Sequence, residues 1–333
     1  MNRYFQIQYK PSTKKSYFIY SPESSSAWFD KEVLPTDTFI VSRLGIKLFY
    51  RKDSSNKNHL PDIPSIGSLH YGIPLLKSNL QKAVRRKNVV VAITSAIAIM
   101  HINIVELIRR IPIIMVEDVC VSAYLLPIVW MLVADKLYVP TLRDRWLLLE
   151  AVYDTCICDT VYEYAMAPLS PTITEPYSVN CILTKYADID NLDILMSIHL
   201  RSLYGGMSCD MVMLNNTIEY YANEQPPIGD IQPAEQIRDI ILLHCQDRLS
   251  VMLLEVGIDF HPFPKLLKIL SKITELDEET IRKTIWLTES AYNVRKPKTI
   301  QISDEYAQTE QWQLIRRSLG WARTQMVAPI HTN

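Results

Sequence analysis

Residues 78–120 read SNLQKAVRRKNVVVAITSAIAIMHINIVELIRRIPIIMVEDVC, and this stretch decides the fold class. Leu80 and Val84, with Leu76 just before, fall on one face of a helix. Lys82, Arg85 and Arg86 fall on the opposite one. From Val89 to Val105 the chain carries no charge, and a second apolar run follows from Val119 to Ala134. Both runs are short for a bilayer span. Thr94, Ser95, His101 and Asn103 spot the first with polar groups, and Pro127 interrupts the second. The expectation is buried core helices of a bundle, with no membrane partner. The stretch closes on Arg109-Arg110 and, seven residues after the pair, Glu117-Asp118.

Outward from this stretch the pattern changes. Residues 1–66 predict a small β-rich basic unit: Tyr4 to Tyr9 alternates, residues 11–15 turn, and Ser16 to Tyr20 returns. Thr38 to Ser42 and Ile46 to Tyr50 flank Leu44-Gly45 as a second hairpin. Residues 67–166 predict a helical lobe, residues 167–233 a Pro-rich connector with a mixed segment, and residues 234–325 a C-terminal helical lobe. In that last lobe Pro233 suits a first turn and Gly257 a stop, and Pro264 opens the next helix. Asp277 with Glu278 and Glu279 makes an acidic N-terminus for a helix over Ile281 to Tyr292, and Ser303 caps a final helix that ends near Gly320. The fold class is therefore mainly α (α+β), a small N-terminal β-rich unit followed by helical bundle lobes.

Composition narrows the chemistry. The chain has 333 residues, of which 48% are hydrophobic and only eight are Gly, which favours helices over glycine-rich loops. Its formal net charge is −1. Residues 1–150 hold 20 Lys+Arg against 12 Asp+Glu, and residues 151–333 hold 15 against 24. A basic first part and an acidic remainder fit a polyanion-facing half and a protein-facing half; they equally fit two lobes that match each other. Six cysteines lack paired spacing, and Cys156-Ile157-Cys158 is neither a zinc nor a redox spacing, so reduced thiols in an intracellular, cytoplasmic or nuclear compartment are expected.

No phosphate-cradling P-loop, dinucleotide fingerprint, zinc-protease helix or nucleophile elbow occurs in the sequence. The seven histidines show no pair at helical ligand spacing. The expectation is a chain with no catalytic residues, no metal and no cofactor, although a site assembled from distant polar residues stays open. Basic positions are the better candidates. Lys10, Lys14 and Lys15 sit at the first turn, Arg43, Lys47, Arg51 and Lys52 border the second hairpin, and tyrosines are interleaved with them. Cations that neutralise phosphates beside aromatics that stack on bases suit nucleic-acid binding. Lysines that protect exposed strand edges are the competing reading. On the first helix Lys82, Arg85, Arg86 and Lys87 extend the basic set. Arg109, Arg110, Glu117 and Asp118 read as a structural charge network between helices. Adjacent carboxylates on one helix diverge too far to share a metal.

His70-Tyr71, then Ser78, Leu80, Lys82, Val84 and Arg85, then Ala92-Ile93 and Met100, then Arg109-Arg110 and Glu117-Asp118-Val119 follow a familiar order. In that order the stretch from about 70 to 135 resembles the helical region after the ATPase core in clamp-loader-like ATPases of the RarA/MgsA and Werner-helicase-interacting-protein family. Four extra residues follow Tyr71, two fewer precede Arg109, Pro112 falls within the Arg-Arg helix, and Cys120 stands where the family has Gly. No ATPase module accompanies the stretch, so ATP hydrolysis does not carry over. The resemblance implies a collar-like scaffold associated with DNA more than RNA. The function expected is a non-enzymatic accessory factor in DNA replication, recombination or repair that contacts nucleic acid and a protein partner or itself. The alternative is a structural or assembly scaffold of a large DNA virus or mobile element.

Overall fold

The computed structural model describes residues 5–10, 15–20, 37–41, 46–50, 60–64, 72–161, 179, 182, 185, 186, 188–226, 228, 236–244 and 264–327. The chain is mainly α, and it divides into two compact units, each built from three separate stretches. The first comprises Met1–Ile63, Ile108–Ala151 and Tyr162–Pro233. The second comprises Pro64–Leu107, Val152–Val161 and Ala234–Asn333. This division corrects the expected boundaries: residues 67–166 are shared between the units, and residues 167–233 belong to the first. Periodicity identifies helices, but it does not say which stretch each one packs against.

In the first unit β1 (Phe5–Lys10), β2 (Lys15–Tyr20), β3 (Asp37–Val41) and β4 (Ile46–Tyr50) form one sheet in the order β1-β2-β4-β3. The two expected hairpins are present as antiparallel pairs, and β2 joins β4 in parallel. Side chains alternate across a strand, so the register sorts the sheet into two sets of positions. Phe39, Leu48, Phe18 and Ile7 share one row and one set. Val41 and Leu48 of that set are buried, whereas Ile40 of the other set is 61% exposed. One face is thus covered, and the helix α3 (Leu125–Ala134) packs against β1, β2 and β3. All ten residues of α3 are buried, as expected of a helix that is apolar all round. It also packs on α5 (Leu192–Leu203), which pairs with α6 (Ser208–Glu224).

Polar anchors join the stretches of this unit. Trp146 Nε1, on α4 (Leu142–Ile157), donates to the Pro61 carbonyl at 2.9 Å. The Val121 N–H donates to the Tyr221 hydroxyl at 3.1 Å, and the Tyr204 hydroxyl donates to the Val133 carbonyl at 3.0 Å. Arg201, buried on α5, donates through Nε to the Arg109 carbonyl at 3.0 Å and through a terminal nitrogen to the Gly205 carbonyl at 2.9 Å. Gly205 and Gly206 have φ of 71° and 158°, so the turn after α5 uses conformations that side chains resist.

The second unit contains α1 (Ile73–Arg85), α7 (Gln236–His244), α8 (Pro264–Thr274), α9 (Glu278–Ile285), α10 (Pro297–Ala307) and α11 (Glu310–Val327). Leu266, Leu267 and Leu270 of α8 meet Ile281 and Ile285 of α9, and Trp312, Ile315 and Leu319 of α11 close the same core. These are the helical spacings that put apolar groups on one stripe. The expected acidic start of α9 is present, with Glu278 and Glu279 in its first turn and Asp277 as the cap, its Oδ1 accepting from the Thr280 N–H at 2.8 Å. Hydrogen bonds from the Thr280 hydroxyl and N–H hold that carboxyl below its ordinary range. The final helix departs from expectation. Ser303 lies inside α10, Thr309 Oγ1 accepts from the Trp312 N–H at 3.2 Å at the start of α11, and α11 runs on through Gly320. Nothing lies within 4 Å of where a Gly320 side chain would begin, so this exposed glycine ends nothing. Pro233 and Gly257 lie outside the described residues.

The long apolar helix α2 (Val89–Asp118) is long and apolar enough by length and composition to cross a membrane. Val91 to Met100 are all buried within the protein, and Asn103 leaves helical geometry at φ −161°, ψ 100°. The Asn103 Oδ1 accepts from the Val105 N–H at 3.1 Å, capping a fresh helical start. The helix thus restarts nine residues before Pro112, and Pro112 sits within helix.

A buried arginine joins the three stretches of the second unit. Arg295 donates to the Val84 carbonyl at 2.7 Å, to the Thr155 carbonyl at 3.3 Å, to the Cys158 carbonyl at 2.6 Å and also to the Cys156 carbonyl. These carbonyls lie at the C-terminal ends of α1 and α4, where a helix has too few N–H donors of its own and its dipole favours a cation. Arg295→Met should lower the unfolding free energy by about 3 kcal/mol or more in denaturant titrations, because several buried acceptors lose their donor at once. Leu270→Ala in the α8 core should cost about 2–5 kcal/mol, whereas Ile273→Ala on the exposed side of the same helix should change stability by less than about 0.5 kcal/mol.

Candidate nucleic-acid interface

The described strands carry three cations and one acid: Lys10, Lys15, Lys47 and Asp37. The register separates them. Lys10 pairs with Lys15; Gln8, Tyr17, Lys47 and Ile40 form the next row; Gln6, Ile19, Phe49 and Thr38 form the one after. All three lysines therefore share the set of positions to which exposed Ile40 belongs, and Asp37 falls in the set of buried Val41 and Leu48. Two consequences follow from elementary electrostatics. Lysines directly opposite one another on paired strands repel, at a cost of roughly 0.2–1 kcal/mol, and a bound anion removes that cost. Moreover, Lys15 and Lys47 lie on the inner strands β2 and β4, so protection of sheet edges does not account for them. Lys14, Arg43, Arg51 and Lys52 lie outside the described residues.

The basic helix face expected on α1 is not a surface. Lys82 is 4% exposed and Arg85 7%. Lys82 Nζ donates to Ser78 Oγ at 2.7 Å, and the Arg85 guanidinium donates to the Ser290 carbonyl. Arg86, half-buried, donates to the Glu289 carbonyl at 2.7 Å, lies 3.8 Å from the Glu289 carboxylate and stacks over the Tyr292 ring at 5.3 Å. Lys87 pairs with the Asp159 carboxylate. The reason is packing. From Leu75 onward α1 buries nearly its whole circumference, so its polar groups are answered from within, as Asn79 is by Ser95 at 2.8 Å.

The four residues expected as a charge network all lie on α2. Asp118 is buried; Arg109, Arg110 and Glu117 are half-buried. Arg109 donates to the Tyr204 carbonyl at 3.4 Å, and its own carbonyl accepts from Arg201. The sequence reading missed Arg201 and Arg295, since an arginine isolated between apolar residues looks like any surface cation until its acceptors are known. It also missed the Glu219 carboxylate, which accepts from Lys185 at 2.8 Å and from the Tyr186 hydroxyl at 2.9 Å. Lys185 is raised above its ordinary range chiefly by that hydrogen bond, and Tyr186 chiefly by burial.

Among the described residues no group of three or more His, Cys, Asp or Glu side chains is placed to hold a metal ion. His101 Nε2 lies 3.0 Å from the Pro64 carbonyl, and His199 is fully buried. Burial pushes the Cys156 thiol up to about 12, with Arg295 and Lys87 opposing the rise, so this thiol carries no nucleophilic thiolate near neutrality.

Near neutral pH, iodoacetamide should alkylate exposed Cys209 in the native protein and Cys156 only after denaturant is added, as mass spectrometry of the digested chain would show. Arg85→Glu should lower stability by about 3 kcal/mol, measured by denaturant unfolding, because it places an unmatched charge in the packed end of α1. Compared with protein-family models, with curated proteins and with solved structures, the chain matches none.

Proposed function

We propose that this chain is a non-enzymatic, nucleic-acid-associated accessory factor of DNA replication, recombination or repair, and that it holds DNA on the sheet face carrying Lys10, Lys15 and Lys47. The observation that supports this reading is the one-sided segregation of the strand lysines, including two on inner strands. A face whose described strand positions hold cations and no acid attracts a polyanion through counterion release, and the aromatic positions 17 and 49 belong to the same set. The resemblance of residues 70–135 to a clamp-loader-like collar adds the DNA-processing context. The acidic remainder of the chain suits a protein partner or self-association.

A second reading, a structural or assembly scaffold, draws support from exposed apolar groups outside the sheet. Leu242 and Leu243 on α7 are 66% and 69% exposed. Reversing charge at Lys82, Arg85 or Arg86 does not separate the two readings, because those groups hold the fold.

Reversal on the sheet does separate them. Purified chain should retard DNA at low salt, with the logarithm of affinity falling against the logarithm of salt by roughly 0.7–0.9 per neutralised phosphate. The combined variant Lys10→Glu, Lys15→Glu, Lys47→Glu should abolish the shift while sedimentation of the chain stays unchanged. Absence of DNA binding at low ionic strength in the wild-type chain would sink the DNA reading. Altered sedimentation with DNA binding retained would favour the scaffold.

A further inference from the structure

We infer that the sheet face receives a single DNA strand and not a duplex, an inference that rests on the nucleic-acid reading above. Width comes first. Four strands give three interstrand steps of about 4.8 Å, so the outer strand axes lie about 14 Å apart. The major groove of B-DNA is about 12 Å wide and admits a helix or a two-stranded ribbon. A four-stranded face is too broad to enter it, and a duplex laid on the outside would present phosphates alone, with nothing for aromatic positions to do.

The order of the rows supplies the second argument. At one end stands the Lys10–Lys15 row; next comes the row with Tyr17 and Lys47; then comes the row with Ile19 and Phe49. Basicity falls and apolar character rises from row to row. A single strand has a charged backbone on one side and exposed base faces on the other, the same polarity. Tyr17 and Phe49 occupy diagonal positions on adjacent inner strands, in the same register set as the lysines, and that pairing of residue types matches bases and phosphates. Base stacking on aromatics is tolerant of sequence, so the face binds any single strand and selects little among sequences. The charge of the face excludes an acidic peptide no better than it excludes DNA, but a peptide offers no planar bases to positions 17 and 49, and DNA does.

The test uses the full chain and a fluorescein-labelled oligothymidylate, read by anisotropy against a duplex of equal length. The oligothymidylate should bind about tenfold tighter than the duplex, and Tyr17→Ala and Phe49→Ala should each weaken it about tenfold with the salt slope unchanged. Lys47→Gln should instead reduce that slope by about 0.7. Tyr17→Trp should show emission quenched on titration with the oligothymidylate, a stacking signal that a purely structural residue would not give. Far-UV circular dichroism checks each variant; if the alanine variants unfold, the Tyr17→Trp titration and the strand-against-duplex comparison decide. Equal affinity for strand and duplex, or an unquenched Tyr17→Trp reporter, overturns the single-strand inference and leaves the nucleic-acid reading standing. Binding of neither form at low salt overturns that reading itself. An RNA strand of matching sequence that binds tighter than the DNA strand overturns the assignment to DNA.

Discussion

Carbonyl groups at the ends of buried helices are the constraint on which the second unit depends. Each helix leaves its last four acceptors without intrahelical donors, and water cannot serve them where the end is covered. Arg295 meets this need at the ends of α1 and α4 together, with a planar cation whose several N–H groups fan out to different acceptors. The contributing residues come from chain stretches around 84, 156 and 295, so one side chain fixes three pieces that the sequence keeps far apart. The neighbouring Val294 N–H donates to the Arg85 carbonyl at 3.0 Å, and Arg85 and Arg86 reach back to the carbonyls of Ser290 and Glu289. That reciprocity gives the joint its register: sliding either partner by one residue would misplace donors on both sides.

In the first unit the donors to backbone carbonyls are more scattered. Arg201 answers the Arg109 and Gly205 carbonyls, Tyr204 answers Val133, and Trp146 answers Pro61. Asp144 shows the complementary device. Its Oδ2 accepts from Tyr138 at 2.6 Å and from the Thr141 N–H at 2.7 Å, closing the turn that leads into α4. Apolar burial supplies the bulk of the stability of each unit, but it is non-directional. These few directional bonds choose which of the possible helix packings is adopted.

How much of this could be read in advance depends on the range of the interaction. Strand alternation, the two hairpins, the helix opened by Pro264 and the acidic helix start at Asp277 are properties of a few consecutive residues, and all were legible. The parallel β2–β4 pairing was not, because nothing local distinguishes a strand that will meet its sequence neighbour from one that will meet a distant one. Asn103 was countable as a polar residue in an apolar run, yet its meaning as a cap depended on the break in helix that it makes. Lys82 and Arg85 misled for the same reason in reverse. Their helical face was assigned correctly, but a segment some two hundred residues later covers it.

The fate of the basic residues sharpens the argument about the sheet. A cation in the first half of the chain has two physical destinies. It can serve buried carbonyls, as Arg85 does, or it can remain where water and counterions stabilise it. Arginine suits the first because its fork spreads charge over several acceptors, and the Lys82 ammonium needs a hydroxyl at close range to be tolerated. Lysine suits the second, being strongly hydrated and mobile. The described strands contain lysine as their sole cation type, on the set of positions that includes exposed Ile40. The described helical stretch from 73 to 118 places its arginines half-buried or buried. Residue type and position thus run together: the described helical arginines serve the packing of the helices, and the described strand lysines share the register set of Ile40.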